Sequence, residues 1–203
     1  MNNLTVKVFN RPRARAESFA QQQNPFCIIS ISTPFDNLNR FNTGNPMLKE
    51  VLHLVFDDIV DAKEGGILMS EDDARKVVEF CVRNIRRGIR EIWVHCDAGI
   101  SRSAGVAAAI LKYFTGDDTQ IYDNPRYAPN SHCYRMVLNA FDGFCPATRC
   151  VFFSMKTGKC VIPSENNRNL YDDDGDFCCL NLITDIKDVD PEAIEKYGLK
   201  GCY

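Results

Sequence analysis

Long apolar runs are missing from this 203-residue sequence. No stretch approaches the roughly 18 consecutive apolar residues that a membrane-spanning helix needs. The first twenty residues, MNNLTVKVFNRPRARAESFA, also lack the apolar core of roughly 7–15 residues that marks a secretory signal. A cytoplasmic, reducing location with no membrane partner is therefore expected. Surplus positive charge is missing too: 24 Lys and Arg stand against 27 Asp and Glu, a net charge of −3. Neutralising a phosphate backbone takes clustered Lys and Arg, so nucleic acid is not the expected ligand. The ten cysteines include no C-x-x-C pair. Cys145, Cys150, Cys160, Cys178, Cys179 and Cys202 follow none of the common zinc spacings, so no metal is expected. Without a signal, most cysteines read as small buried apolar residues. The acidic stretch YDDDGD (171–176) fails as a calcium loop. With Gly175 as sixth residue, the first and twelfth ligands would be Leu170 and Asn181. No internal repeat is present.

What remains is an ordinary globular composition, 45% hydrophobic and 25% charged. Residues 1–25 are polar, with Arg11, Arg13, Arg15 and a Gln run at 21–23. They read as a lead-in, with an edge strand at TVKVF (5–9). CIISIS (27–32) and VLHLVFDDI (51–59) read as strands, the second running into an acidic loop. The clearest helix spans 70–87. Ser70 caps it with Asp73 three residues on, and Ala74, Val77, Val78, Cys81, Val82 and Ile85 share one face. EIWVH (91–95) is a short buried strand. Helices follow at 103–114 and 130–141. Strands alternating with helices predict an α/β fold with a mostly parallel central sheet. After about Cys145 the texture changes. A hairpin is expected over 150–163, turning at KTGK, so the C-terminal extension reads as small and β-rich.

The chemistry concentrates in WVHCDAGISRS (93–103). A strand, a short loop and a helix start lie in series. Backbone N–H groups of such a loop form an anion nest, and the helix adds its unpaired N–H groups and positive dipole end. Arg102 supplies a planar two-pronged clamp for oxyanions. Gly99 gives the backbone freedom to curl. The same surroundings favour the thiolate of Cys96, which makes it a nucleophile at the floor of a phosphate-sized pocket. Taken singly, a buried Cys and a solvent-facing Arg are unremarkable structural residues. Their joint occurrence at these offsets is far more specific.

HCDAGISRS resembles the signature H-C-x-x-G-x-x-R-[ST] of the cysteine-dependent protein tyrosine phosphatases, and its AG-x-SRS form is similar to the dual-specificity branch. The resemblance covers roughly residues 26–145. It continues in RYAPNSHCYRMVL (126–138), where Arg126, Pro129 and Asn130 resemble that branch's R-x-I-x-P-N-x-x-F pattern with one residue fewer between the Arg and the Pro. Ala128 replaces an apolar residue there, and the aromatic is displaced to Tyr134. Three segments follow: a lead-in at 1–25, a catalytic domain at 26–145, and a C-terminal extension at 146–203 that matches nothing in the family.

The resemblance implies roles. Cys96 attacks phosphorus and forms a phosphocysteine. The loop Asp97, Ala98, Gly99, Ile100, Ser101, Arg102 binds the phosphoryl oxygens through its backbone and the Arg102 side chain. His95 orients the loop, and Ser103 hydrogen-bonds the sulfur. The leaving oxygen needs an acid. The family takes it from an upstream Asp that follows a strand, and VFDDIVD offers Asp57, Asp58 and Asp61. Asp58 is preferred, because strand alternation leaves Asp57 with the strand. No cofactor is implied. The expected partner is a phosphorylated protein or peptide carrying phosphotyrosine, phosphoserine or phosphothreonine. The competing readings are a pocket of the same fold that binds phosphate without turnover, and a sulfur-transfer or arsenate-reducing enzyme. The last lacks the H-C…R-S frame. The oligomeric state stays open.

Overall fold

The computed structural model describes residues 4–34, 41, 43–141, 153–154 and 159–160. The chain separates into a unit of Asn2–Ala140 and a second of Phe141–Tyr203 with Met1. In chain order the first unit holds β1 (Thr5–Asn10), α1 (Arg11–Phe19), β2 (Phe26–Ser32), β3 (Leu48–Val55), α2 (Glu71–Arg86), β4 (Glu91–Cys96), α3 (Arg102–Thr115) and α4 (Thr119–Tyr122). The last helix, α5 (Ser131–Phe141), ends at the boundary. A four-stranded sheet of order β1-β4-β2-β3 is parallel at every pairing. Every strand therefore ends on the same edge, which gathers Asn10, Cys96, Ser32 and Val55 there. The expected α/β class holds, with a sheet wholly parallel rather than mostly so.

β2 is buried at all seven positions, as a strand covered on both faces must be. Its β-branched run Ile28–Ile29 and Ile31 fits that environment. Trp93 of β4 stacks on Phe26 at 3.9 Å between ring centroids and meets Phe9 edge-on at 5.1 Å. That aromatic cluster ties β1 and β2 to the strand between them. α2 carries the expected capping box: the Ser70 hydroxyl accepts from Asp73 N–H, and the Asp73 carboxylate accepts from Ser70 N–H. Its buried side chains include all six apolar residues read from the sequence.

Two readings change. The segment 1–25 is not a loose lead-in: Thr5–Asn10 pairs with β4 along its whole length, as the expected edge strand, and α1 follows directly. Asn10 caps that helix by accepting from Arg13 N–H, and Pro12 fits the first turn. The second strand also ends earlier than 59. Phe56 N–H still reaches the Ser32 carbonyl, but Asp57 turns away to bond both backbone groups of Ile67. In the second unit, Phe153–Ser154 pairs antiparallel with Lys159–Cys160, which is the expected hairpin. The rest of the C-terminal extension, expected to be β-rich, lies outside the described residues.

Candidate active site

The loop after β4 hangs on the shared strand edge and leads straight into α3. Cys96, the last residue of β4, is 2% exposed. Its Sγ lies 3.1 Å from the Ser103 hydroxyl and 3.3 Å from the Gly99 N–H, which points at it. An N–H from the loop and a hydroxyl from the first turn of α3 thus converge on the sulfur. Gly99 makes the curl possible. It sits at φ +68°, and a Cβ there would stand 2.5 Å from Asn10 N and Phe9 C. The loop is therefore flush against the β1–α1 junction, a contact only glycine allows.

Arg102 is 3% exposed. One terminal nitrogen donates to the Phe56 carbonyl at 2.8 Å, just past β3. The other donates to the Asp97 carboxylate at 2.6 Å. Its Nε is buried with no protein partner. A buried guanidinium held at both ends with its third nitrogen unpaired has a donor to offer an incoming anion.

His95 is fully buried in β4. Its Nε2 is 2.9 Å from the Ser30 hydroxyl of β2, and Nδ1 is 3.5 Å from the Cys96 carbonyl. Burial pushes its pKa down to about 4, with the nearby Arg11 charge acting the same way and the contact to the Cys96 carbonyl opposing. The ring is neutral at pH 7. It braces the backbone that carries the thiol and holds no counter-charge for it.

The three acidic candidates separate. Asp57 Oδ2 accepts from Ile67 N–H at 2.8 Å and so fastens its own loop. Asp61 accepts from Lys63 N–H in the same loop. Asp58 reaches the Cys96 loop: its Oδ1 accepts from the Ser101 hydroxyl at 2.7 Å and from the Asn130 amide at 3.0 Å. Oδ1 is thus engaged twice as an acceptor. Asn130 does more than start a helix. It is 4% exposed, its amide also donates to the Ile59 carbonyl, its N–H donates to the Ser101 carbonyl, and its Oδ1 accepts from Cys133 N–H. It joins the acid loop, the catalytic loop and α5. Gly105 in α3 lets this segment close in, since a Cβ there would meet the Asn130 carbonyl at 2.5 Å.

The structure therefore brings together Cys96, Arg102, Ser103, His95, Asp58 and the loop of Asp97 to Ser101. Ala98 and Ile100 sit exposed on the outer rim. The sequence reading gave Asn130 no task beyond matching a pattern and capping the helix it precedes. It had no signal for Arg11, whose guanidinium is paired to the Asp97 carboxylate. Among the described residues no cluster of His, Cys, Asp or Glu could hold a metal ion, and no helix is long and apolar enough to cross a membrane.

No protein-family model and no curated protein matches the sequence. Solved structures do match. The human tyrosine phosphatase-like serine/threonine/tyrosine-interacting protein superposes with a TM-score of 0.50 and 19% identity, over 66% of this chain and 89% of that one. Human DUSP28 aligns at 0.46 with 17% identity, over 70% and 92%. The Cydia pomonella PTP-2 phosphatase aligns at 0.45 with 19% identity, over 67% and 84%. The fold is that of the cysteine-dependent protein tyrosine phosphatases. The HCDAGISRS motif resembles that of the dual-specificity branch.

Proposed function

We propose that this protein hydrolyses phosphate monoesters, on proteins carrying phosphotyrosine, phosphoserine or phosphothreonine, through a phosphocysteine on Cys96. The observation that carries the reading is the gathering around one loop of three things: the Cys96 sulfur in contact with the Ser103 hydroxyl and the Gly99 N–H, the buried Arg102 guanidinium, and Asp58 held on the loop by Ser101 and Asn130. In the first step the Cys96 thiolate attacks phosphorus, an S–P bond forms and the P–O ester bond breaks. Asp58 gives its carboxyl proton to the leaving oxygen, which departs as the alcohol or phenol. The loop N–H groups and Arg102 take up the charge on the equatorial oxygens. In the second step Asp58, now a carboxylate, takes a proton from water as the water oxygen attacks phosphorus. The S–P bond breaks, inorganic phosphate leaves, and the Ser103 hydroxyl donates to the returning thiolate. The cycle balances with water as the only co-reactant, and the thiol it depends on suits a reducing cytoplasm.

Catalysis is assigned to the unit Asn2–Ala140. The acidic-to-neutral loop side chains, Asp97, Ala98, Ile100 and Ser101, favour a phosphoprotein over a highly anionic phosphoinositide. The test is hydrolysis of an aryl phosphate by wild type and Cys96→Ser. Wild type is expected to be faster by at least about 10³-fold, the scale of losing a catalytic nucleophile. Equal rates would leave a module that binds phosphate without turning it over.

A further inference from the structure

The carboxylate of Asp97 is ion-paired to Arg102, the side chain proposed to receive a phosphate dianion. On general electrostatic grounds a like charge there opposes binding. Two contacts explain how the site tolerates it. Asp97 Oδ2 accepts from Arg102 at 2.6 Å, and Oδ1 is ion-paired to the guanidinium of Arg11. Arg11 opens α1, and its backbone N–H donates to the Asp97 carbonyl at 3.2 Å. Side chain and main chain of one residue thus grip both ends of Asp97. The grip is fixed in place because Gly99 packs against Phe9 and Asn10, the two residues before Arg11. The Asp97 side chain is 37% exposed and that of Arg11 26%, so neither is deep enough for the pair to be a core element.

Resting on the phosphatase reading, we infer that Asp97 and Arg11 form a positioning pair for phosphate binding: Asp97 holds the Arg102 guanidinium in its binding pose, and Arg11 cancels the carboxylate charge that this hold brings beside that guanidinium. Both side chains act through Arg102, while the Asp97 backbone stays part of the phosphate loop. Arg102 is left anchored at both terminal nitrogens, by Phe56 and Asp97, with Nε presented to the anion. Without Arg11, the carboxylate competes with the substrate for Arg102 and repels the dianion. Removing the carboxylate as well removes the need for Arg11.

That logic gives a distinctive pattern in a double-mutant cycle. Arg11→Gln should raise KM for an aryl phosphate about tenfold and lower kcat by less, since the loss is in ground-state binding of the phosphoryl group. Asp97→Asn keeps the loop backbone and an oxygen acceptor for Arg102 and sheds the charge, so its rise in KM should be clearly smaller than that of Arg11→Gln. The double variant should return to within about threefold of wild type, a non-additive result for two contacting residues. The Arg11→Gln defect should also shrink as salt rises, because partly exposed charges are screened. A merely structural contact predicts the reverse: each change harmful, the double worse than either, and no response to salt. Either a double variant at the product of the single defects, or Asp97→Asn raising KM as much as Arg11→Gln, overturns the inference. The same three variants are titrated with inorganic phosphate by calorimetry. If wild type binds phosphate but shows no turnover, the phosphatase reading fails while the cycle is still decided in Kd. If wild type binds no phosphate at all, both fall.

Discussion

Gly99→Ala isolates the contact on which the catalytic loop depends. The residue sits at φ +68°, where an L side chain costs roughly 1–2 kcal/mol. The new Cβ would also stand 2.5 Å from Asn10 N and Phe9 C and 2.6 Å from the Phe9 carbonyl oxygen. Carbon contacts are comfortable near about 3.5–4.0 Å, so the loop must withdraw by roughly 1 Å. The junction cannot yield instead. Its atoms are backbone, held by β1–β4 pairing up to Asn10 and Cys96 and by the Arg11–Asp97 main-chain bond. Withdrawal pulls the Gly99 N–H off the Cys96 sulfur and shifts the phosphate cradle. A displacement of that size costs on the order of 10²-fold in rate, so kcat/KM should fall about 10²–10³-fold. Stability should fall by about 2–3 kcal/mol, an amount that leaves the protein folded. Gly88→Ala is the matched control, because Gly88 has φ +83° and nothing within 4 Å of its Cβ position. It carries the backbone strain without the collision and should keep wild-type kinetics. Steady-state hydrolysis and urea titration of both variants decide the matter. A Gly99→Ala enzyme within threefold of wild type, or a Gly88→Ala enzyme equally impaired, refutes the reasoning.

Three further outcomes are expected. Asp58→Asn should lower kcat/KM by about 10²–10⁴-fold on an alkyl phosphate and much less on nitrophenyl phosphate, whose leaving group needs no proton; similar losses on both would move the acid elsewhere. Ser103→Ala should slow breakdown of the intermediate more than its formation, so that stopped-flow traces gain a burst of phenol release. His95 gives a pH signature: its folded pKa, about 4, lies below the ordinary 6.5, so its neutral form favours the fold. That contribution is complete above pH 6.5 and is lost as pH falls toward 4. Between pH 7 and 4.5 it amounts to about 2–3 kcal/mol, so His95→Asn should lose that much less stability than wild type across the same interval, measured by urea midpoints.

The parts of this account that could be read from the sequence are those set by neighbours along the chain. The capping box of α2, its apolar stripe, and the strand-loop-helix around Cys96 all depend on residues within a few positions of one another. The N-terminal strand and helix were harder. FNRPRARAESF has no apolar stripe, because α1 buries only Ala14 and Ser18 and owes its place to Asn10 and to the strand before it. The acid needed distant information. Strand alternation pointed to Asp58 over Asp57, but what separates them physically is the Asp57–Ile67 clamp and the bond from Asn130, 72 residues away. The Arg11–Asp97 pair spans 86 residues, and nothing local to either end announces it. Periodicity cannot report a contact between two loops that meet only because parallel strands end on the same edge.

The central claim is that a phosphoryl group passes through Cys96, and covalent trapping tests it most directly. Asp58→Asn is mixed with nitrophenyl phosphate and quenched in acid. The good leaving group lets the intermediate form, and loss of the base slows its hydrolysis. Peptide mass mapping should find one phosphoryl group per chain, on the peptide that contains Cys96, and none when Cys96→Ala is added. No adduct, or an adduct that survives Cys96→Ala, would contradict the account.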